Sequence, residues 1–85
     1  MSYSKQTMKI KDKIIKLGGK EWQKDDMDRV YITNEILNVL LAEQGKGAVK
    51  FGERNNKIFY DVKTNAVMRS YKGKKPQVEI QYEVA

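Results

Sequence analysis

The chain has 85 residues, of which 40% are hydrophobic and 33% are charged, and it contains neither cysteine nor histidine. Because this size and composition are typical of one small globular domain, we predict a single small domain over residues 1–85. The missing cysteines exclude disulfides and thiolate metal sites, and the missing histidines remove the commonest general base and zinc ligand. No stretch resembles a signal peptide and the longest apolar run is residues 39–42, so we expect a cytoplasmic protein without membrane association.

The net charge of +6 is distributed unevenly along the chain. Residues 1–20 carry +5 and residues 44–76 carry +7. The segment between them, residues 21–43, carries −4, and residues 77–85 carry −2. Two basic blocks around an acidic segment can form a positive face that attracts anions, although lysines also keep small proteins in solution.

The first predicted element is a helix over residues 4–17, with Gly18 at the position of a C-cap glycine. Lys11 falls in the middle of its apolar arc, so a short strand at residues 8–10 followed by a helix stays open as an alternative. The apolar side of the predicted helix consists of Ile10, Ile14 and Leu17.

Two short runs rich in aromatic and β-branched residues follow, at residues 20–23 and 29–33. They predict antiparallel strands joined by the five-residue turn KDDMD at residues 24–28. Asp26 and Asp28 alternate as ligands of a calcium loop do, but no turn glycine or distal glutamate accompanies them. We therefore predict that the aspartates of this turn are solvated and bind no metal.

The second predicted helix covers residues 33–45. Thr33 or Asn34 is suited to be its N-cap, and glycines end it. Its apolar residues span an arc wide enough for the main core helix. They are Ile36, Leu37, Val39, Leu40 and Leu41.

From residue 48 the apolar period changes to two. β-type runs at residues 48–52, 57–62 and 66–71 are separated by turns containing asparagine, and residues 77–85 alternate strictly. We predict an α+β fold in which two helices pack on an antiparallel sheet of about four to five strands, ending in a β-meander. In this prediction Phe59 and an exposed Asp61 beside a lysine face outward. The residues expected to face the core are Ile58, Tyr60, Val62, Val78, Ile80, Tyr82 and Val84.

The sequence contains no recognisable catalytic constellation. Its hydroxyl residues have no histidine partner, and its glycine pairs follow predicted helices, whereas a phosphate loop precedes one. We predict a non-enzymatic protein with no catalytic, cofactor or metal site. A histidine-free ribonuclease that uses lysine, arginine and tyrosine is the least favoured alternative.

The basic residues of the C-terminal half give the main indication of binding, and the loop at residues 72–76 has the densest charge. We predict association with an acidic partner, either nucleic acid or an acidic protein surface, with nucleic acid contacted mainly at its phosphates. The acidic turn at residues 24–28 should then lie away from bound nucleic acid. The predicted contact residues are Lys72, Lys74, Lys75, Arg54, Lys57 and Arg69.

The alternative is a protein-docking module or a homodimeric small regulator. Trp22 and Tyr31 would be its aromatic anchors, and residues 78–84 would form an edge strand that pairs with a partner. For Trp22 a place in the core between hairpin and helix is the favoured interpretation, and its burial distinguishes the two.

Overall fold

The computed structural model describes residues 5–51 and 56–83. Its elements are α1 (Lys5–Lys16), β1 (Lys20–Lys24), β2 (Met27–Ile32), α2 (Asn34–Glu43), β3 (Asn56–Asp61), β4 (Ala66–Tyr71) and β5 (Gln77–Gln81). The five strands form one antiparallel sheet in the order β1-β2-β3-β4-β5. The predicted α+β class and meander are confirmed, while the predicted contact residue Arg54 and the predicted core residue Val84 lie outside the described residues.

Helix α1 ends where Gly18 adopts a φ of 115°, as the sequence predicts. Its buried side agrees with the prediction in part: Ile14 is buried and Ile10 packs against the core, but Leu17 is 40% exposed. Two polar residues of this helix are buried as well, Thr7 and Lys11. Lys11 can occupy this side because two carboxylates from the following hairpin meet its ammonium group.

The turn between β1 and β2 is shorter than predicted. Lys24 pairs directly with Met27, so only Asp25 and Asp26 form the turn. Asp25 adopts a φ of 56°, a conformation that aspartate tolerates better than most residues. The expectation of a solvated Asp28 is wrong, because Asp28 lies within β2, is 7% exposed and pairs with Lys11.

Helix α2 begins at the predicted cap, where Thr33 Oγ1 accepts a hydrogen bond from the Ile36 backbone N–H at 3.2 Å. Its apolar arc is narrower than predicted, since Val39 is 44% exposed. The buried residues of α2 are Ile36, Leu37, Leu40 and Leu41.

The predicted strand at residues 48–52 is wrong, because the described part of this segment, up to Phe51, is bound to the side chains of α2 instead. Asn38 Oδ1 accepts from the Val49 N–H at 2.9 Å, and Asn38 Nδ2 donates to the Val49 carbonyl at 3.0 Å. Asn34 Oδ1 accepts from the Phe51 N–H at 3.2 Å. Since these amides satisfy the backbone groups that a strand would offer to the sheet, Phe51 is held beside the start of α2.

One cluster of buried side chains contains residues from both helices and from β2 to β5. Its central row runs through paired positions across four strands, namely Val30, Tyr60, Val67 and Ile80. We call the side of the sheet that carries this row the inner face.

Val78 does not face the core as predicted, because β5 contains a bulge at Glu79. Val67 pairs with Ile80, but the next residue, Met68, pairs with Val78, so Glu79 is an extra residue on β5. Because strand side chains alternate between faces, the extra residue turns Val78 to the opposite side from Ile80. Val78 is accordingly 47% exposed, whereas Ile80 is 1% exposed.

Candidate functional site

The outer face is the side of the sheet opposite the inner face. One row of paired positions crosses it with one residue from each strand: Lys20, Tyr31, Phe59, Met68 and Val78. A second row contains Trp22, Arg29 and Asp61, which pair across β1 to β3. Side chains of neighbouring rows lie on the same face because they are two positions apart along each strand.

Three aromatic rings contact one another on this face. The Trp22 and Tyr31 rings meet edge to face, with centroids 6.1 Å apart and planes at 79°, and the Tyr31 and Phe59 centroids are 5.6 Å apart. The Arg29 guanidinium lies 4.3 Å from the Phe59 centroid and 5.9 Å from that of Trp22. Phe59 is only 2% exposed, so it points outward as predicted but is not open to solvent.

The two predicted anchors, Trp22 and Tyr31, are therefore neighbours. The favoured core position for Trp22 is wrong, since its side chain lies on the outer face, is 36% exposed and does not belong to the buried cluster. Tyr31 is half-buried between Trp22 and Phe59. Of the three rings, Phe59 is covered, whereas Trp22 and part of Tyr31 remain accessible at the β1 edge.

Cations surround these rings. By strand alternation Lys20, Lys24 and Lys57 project on the outer face, and none of them makes an ion pair with a described residue. Asp61 is the one carboxylate at an outward strand position of the described sheet. It is half-buried and accepts a hydrogen bond from Thr64 Oγ1 at 2.7 Å, so the expectation of an exposed Asp61 beside a lysine is wrong.

Lys57 is the only one of these three lysines among the predicted contact residues. Lys20 and Lys24 were missed, although their alternation with Trp22 in KEWQK is visible in the sequence. What the sequence does not show is the register, which places Lys20 opposite Tyr31 and thereby next to the aromatic layer.

A cavity of about 770 Å³ opens at the end of the sheet where β1 and β3 begin and β2 ends. Three aromatic residues, Trp22, Tyr31 and Phe51, line it together with Ile32 and Ile58. Its polar lining residues are Lys20, Glu21, Thr33, Asn34 and Lys57.

The lysine-rich loop lies at this same end of the sheet. It joins the end of β4 to the start of β5, and Tyr71 at the end of β4 pairs with Asn56 at the start of β3. The acidic turn between β1 and β2 lies at the opposite end of the sheet. Exposed side chains in the loop are Lys72, Lys74 and Lys75.

Arg69 does not share the surroundings of the loop lysines. Its guanidinium lies 3.5 Å from the Phe51 ring centroid and 4.6 Å from that of Tyr71, and its Nε is 3.3 Å from Glu79 Oε1. Because its side chain is only 15% exposed, Arg69 is better placed to hold Phe51 against the sheet than to contact an anion in solvent.

Charges on the inner side of the hairpin are neutralised locally. Lys11 Nζ lies 3.0 Å from Glu21 Oε1 and 3.1 Å from Asp28 Oδ2. Burial alone would lower the pKa of Lys11, but hydrogen bonds and the charges of both carboxylates together raise it above its ordinary value. At the turn, Asp26 instead pairs with Lys63 at 3.4 Å.

Within the described residues, acidic side chains do not converge in a group of three that could hold a metal ion.

Comparisons of the chain with models of protein families, with curated proteins and with solved structures find no match. Neither helix in the described part of the chain combines the length and apolar character that crossing a membrane requires.

Proposed function

We propose that the protein is a non-enzymatic binding protein that holds single-stranded nucleic acid on the outer face of its sheet. The observation that carries this proposal is the accessible edge of the Trp22 and Tyr31 layer, surrounded by lysines without ion-pair partners among the described residues. In the proposal both helices pack on the inner face, which leaves the outer face free for a ligand.

Single strands suit this surface better than a duplex does. Unpaired bases expose flat faces that stack on aromatic rings, and each stacked base contributes roughly 1–3 kcal/mol whatever its sequence. Trp22 offers such a ring at the β1 edge, and Lys20 and Lys24 flank it for contact with phosphates. The lysine-rich loop extends the positive surface at one end of the sheet, whereas the acidic turn closes it at the other.

Trp22 gives a direct assay because it is the only tryptophan of the chain. Its fluorescence should be quenched when a base stacks on it during titration with oligothymidylate or oligouridylate. If the three outer-face lysines and the three loop lysines all contact phosphates, the logarithm of the association constant should fall with the logarithm of salt concentration with a slope of about −4. No binding at about 50 mM salt would reject the proposal.

A pair of charge variants separates a specific surface from general attraction. Replacing Lys72, Lys74 and Lys75 together by glutamine should reduce the salt slope by about 2. The matched control removes the same charge from exposed positions of α1 through K5Q, K9Q and K16Q. Equal losses in both variants would show that net charge alone drives binding.

The docking alternative is favoured by a different observation. β1 and β5 are the edges of the described sheet, and the bulge exposes Val78 on β5. A homodimer or protein partner could pair with that edge. Sedimentation at several concentrations checks the dimer: a monomer throughout rejects it, whereas a dimer that does not bind oligonucleotide favours docking.

Intact bulk RNA after incubation with the protein would reject the ribonuclease alternative.

A further inference from the structure

We infer that the cavity at the end of the sheet is a subsite for one nucleotide, with the base inside and its phosphate between Lys20 and Lys57 at the mouth. This inference rests on the proposed function and deepens it, because it gives one base of the bound strand a different environment from the bases on the outer face. The volume of about 770 Å³ falls within the roughly 300–1,000 Å³ of small-molecule sites.

The backbone and the ring of Phe51 are each fixed by a contact. Asn34 Oδ1 accepts from the Phe51 N–H at 3.2 Å, which positions the backbone beside α2. The Arg69 guanidinium lies 3.5 Å from the ring centroid, and Glu79 in turn holds Arg69. A ring held in this way keeps the cavity open before the ligand arrives, and preorganisation lowers the entropic cost of binding.

The other two aromatic residues of the lining belong to the outer face. Trp22 and Tyr31 line the cavity and also belong to the aromatic layer that Phe59 completes. A strand stacked on Trp22 can therefore place its next base into the cavity without leaving the protein surface.

The charges of the cavity favour an anionic aromatic ligand. Lys20 and Lys57 have no ion-pair partner among the described residues, whereas the one carboxylate of the lining, that of Glu21, is bound to Lys11 at 3.0 Å. Thr33 adds a polar group: its hydroxyl oxygen accepts the Ile36 N–H, and its proton remains able to bond to the edge of a base. Aromatic rings, two lysines without ion-pair partners among the described residues and a polar group together match a nucleotide.

The test measures binding of nucleoside monophosphates to the full chain by Trp22 fluorescence and by amide chemical shifts. Phe51→Leu keeps an apolar side chain but removes the ring, and it should weaken monophosphate binding at least about tenfold. Met8→Leu changes an exposed apolar residue of α1 that does not line the cavity, and it should leave monophosphate binding unchanged. The wild type should prefer a monophosphate over its nucleoside, and Lys57→Gln should reduce that preference.

The outcomes distinguish this inference from the proposed function. Oligonucleotide binding without monophosphate binding would overturn the nucleotide subsite and leave the proposed function intact. Monophosphate binding that depends on Phe51, without oligonucleotide binding, would overturn the proposed function and leave the nucleotide subsite intact. Phenyl phosphate that binds as tightly as the monophosphates would overturn recognition of a base, since that probe has a ring and a phosphate but no base edge. Circular dichroism of each variant verifies that the loss is not unfolding.

Discussion

Replacing Lys11 by methionine tests whether the ion pair beneath the hairpin stabilises the fold. The Lys11 side chain is 8% exposed and that of Asp28 is 10% exposed. In K11M the Asp28 carboxylate keeps its buried position but loses the ammonium group 3.1 Å from its Oδ2. Its other oxygen, Oδ1, has no hydrogen-bond partner among the described residues, so nothing nearby replaces the lost interaction.

The size of the effect follows from this geometry. Removing one partner of a buried ion pair costs roughly 3–5 kcal/mol. Because the Glu21 side chain is 43% exposed, water reaches part of the cluster, and we expect a loss of about 3 kcal/mol for K11M. D28N should cost less, about 1–2 kcal/mol, since Lys11 keeps Glu21. The double variant K11M/D28L should recover most of the loss, because an apolar pair often replaces a buried ion pair at little cost.

Urea unfolding followed by circular dichroism measures these differences. For a domain of this size, about 3 kcal/mol corresponds to a fall in Tm of roughly 12–24 °C. K13M is the matched control on the same helix: Lys13 pairs with Glu43 at 2.7 Å, but the two side chains are 48% and 42% exposed, so we expect a change within about 0.5 kcal/mol. Equal stabilities of K11M and K13M, or a double variant less stable than K11M, would refute the reasoning.

Two further predictions concern the core. Burial raises the pKa of Tyr82 to about 12 and raises that of Tyr60 further. Unfolded tyrosines ionise near pH 10, so above that pH each of these two tyrosines should lower the free energy of unfolding by about 1.4 kcal/mol per pH unit until its folded-state pKa is reached. Lys11, whose pKa is also raised, adds to this fall. Urea titrations at rising pH check this, and a level profile at pH values well above 10 would contradict it. A Cβ on Gly19 would lie 2.5 Å from Val30 Cγ1, so G19A should destabilise the fold by about 1–3 kcal/mol. G47A, which meets nothing within 4 Å, should change stability by less than about 0.5 kcal/mol, and equal stabilities of the two variants would contradict the clash.

Side-chain periodicity was enough to predict the two helices and the strands at β3 and β4. In β3 this periodicity also gives the buried face, since Ile58 and Tyr60 are buried as predicted. In the helices it gives only part of that face, because Leu17 and Val39 are exposed. β5 does not keep one period from end to end, because the extra residue Glu79 reverses the faces in mid-strand, and strict alternation in the sequence conceals that reversal. A bulge depends on the pairing with β4, which no local pattern contains.

Contacts between distant residues account for the other errors. By periodicity alone Lys11 interrupts the apolar arc of α1, yet it is a buried cation whose partner, Asp28, lies 17 residues later. The β-type run at residues 48–52 has the composition of a strand, but the amides of Asn34 and Asn38 bind the described part of its backbone. At the site, Trp22 and Tyr31 could be predicted from the sequence as candidate binding residues. The cavity could not, because it requires Phe51 to return to the start of α2.

The composition around Trp22 favours a polyanion over a protein partner for the outer face. The cores of protein interfaces are enriched in aromatic residues but depleted in lysine, because burying an ammonium group without a partner is costly. Here the most apolar part of the face is already covered, since Arg29 and Tyr31 leave Phe59 only 2% exposed. The ring that remains accessible is the one flanked by Lys20 and Lys24 in the same strand. A nucleic acid strand can stack on that ring while its phosphates satisfy the lysines, whereas an apolar protein surface would have to desolvate them.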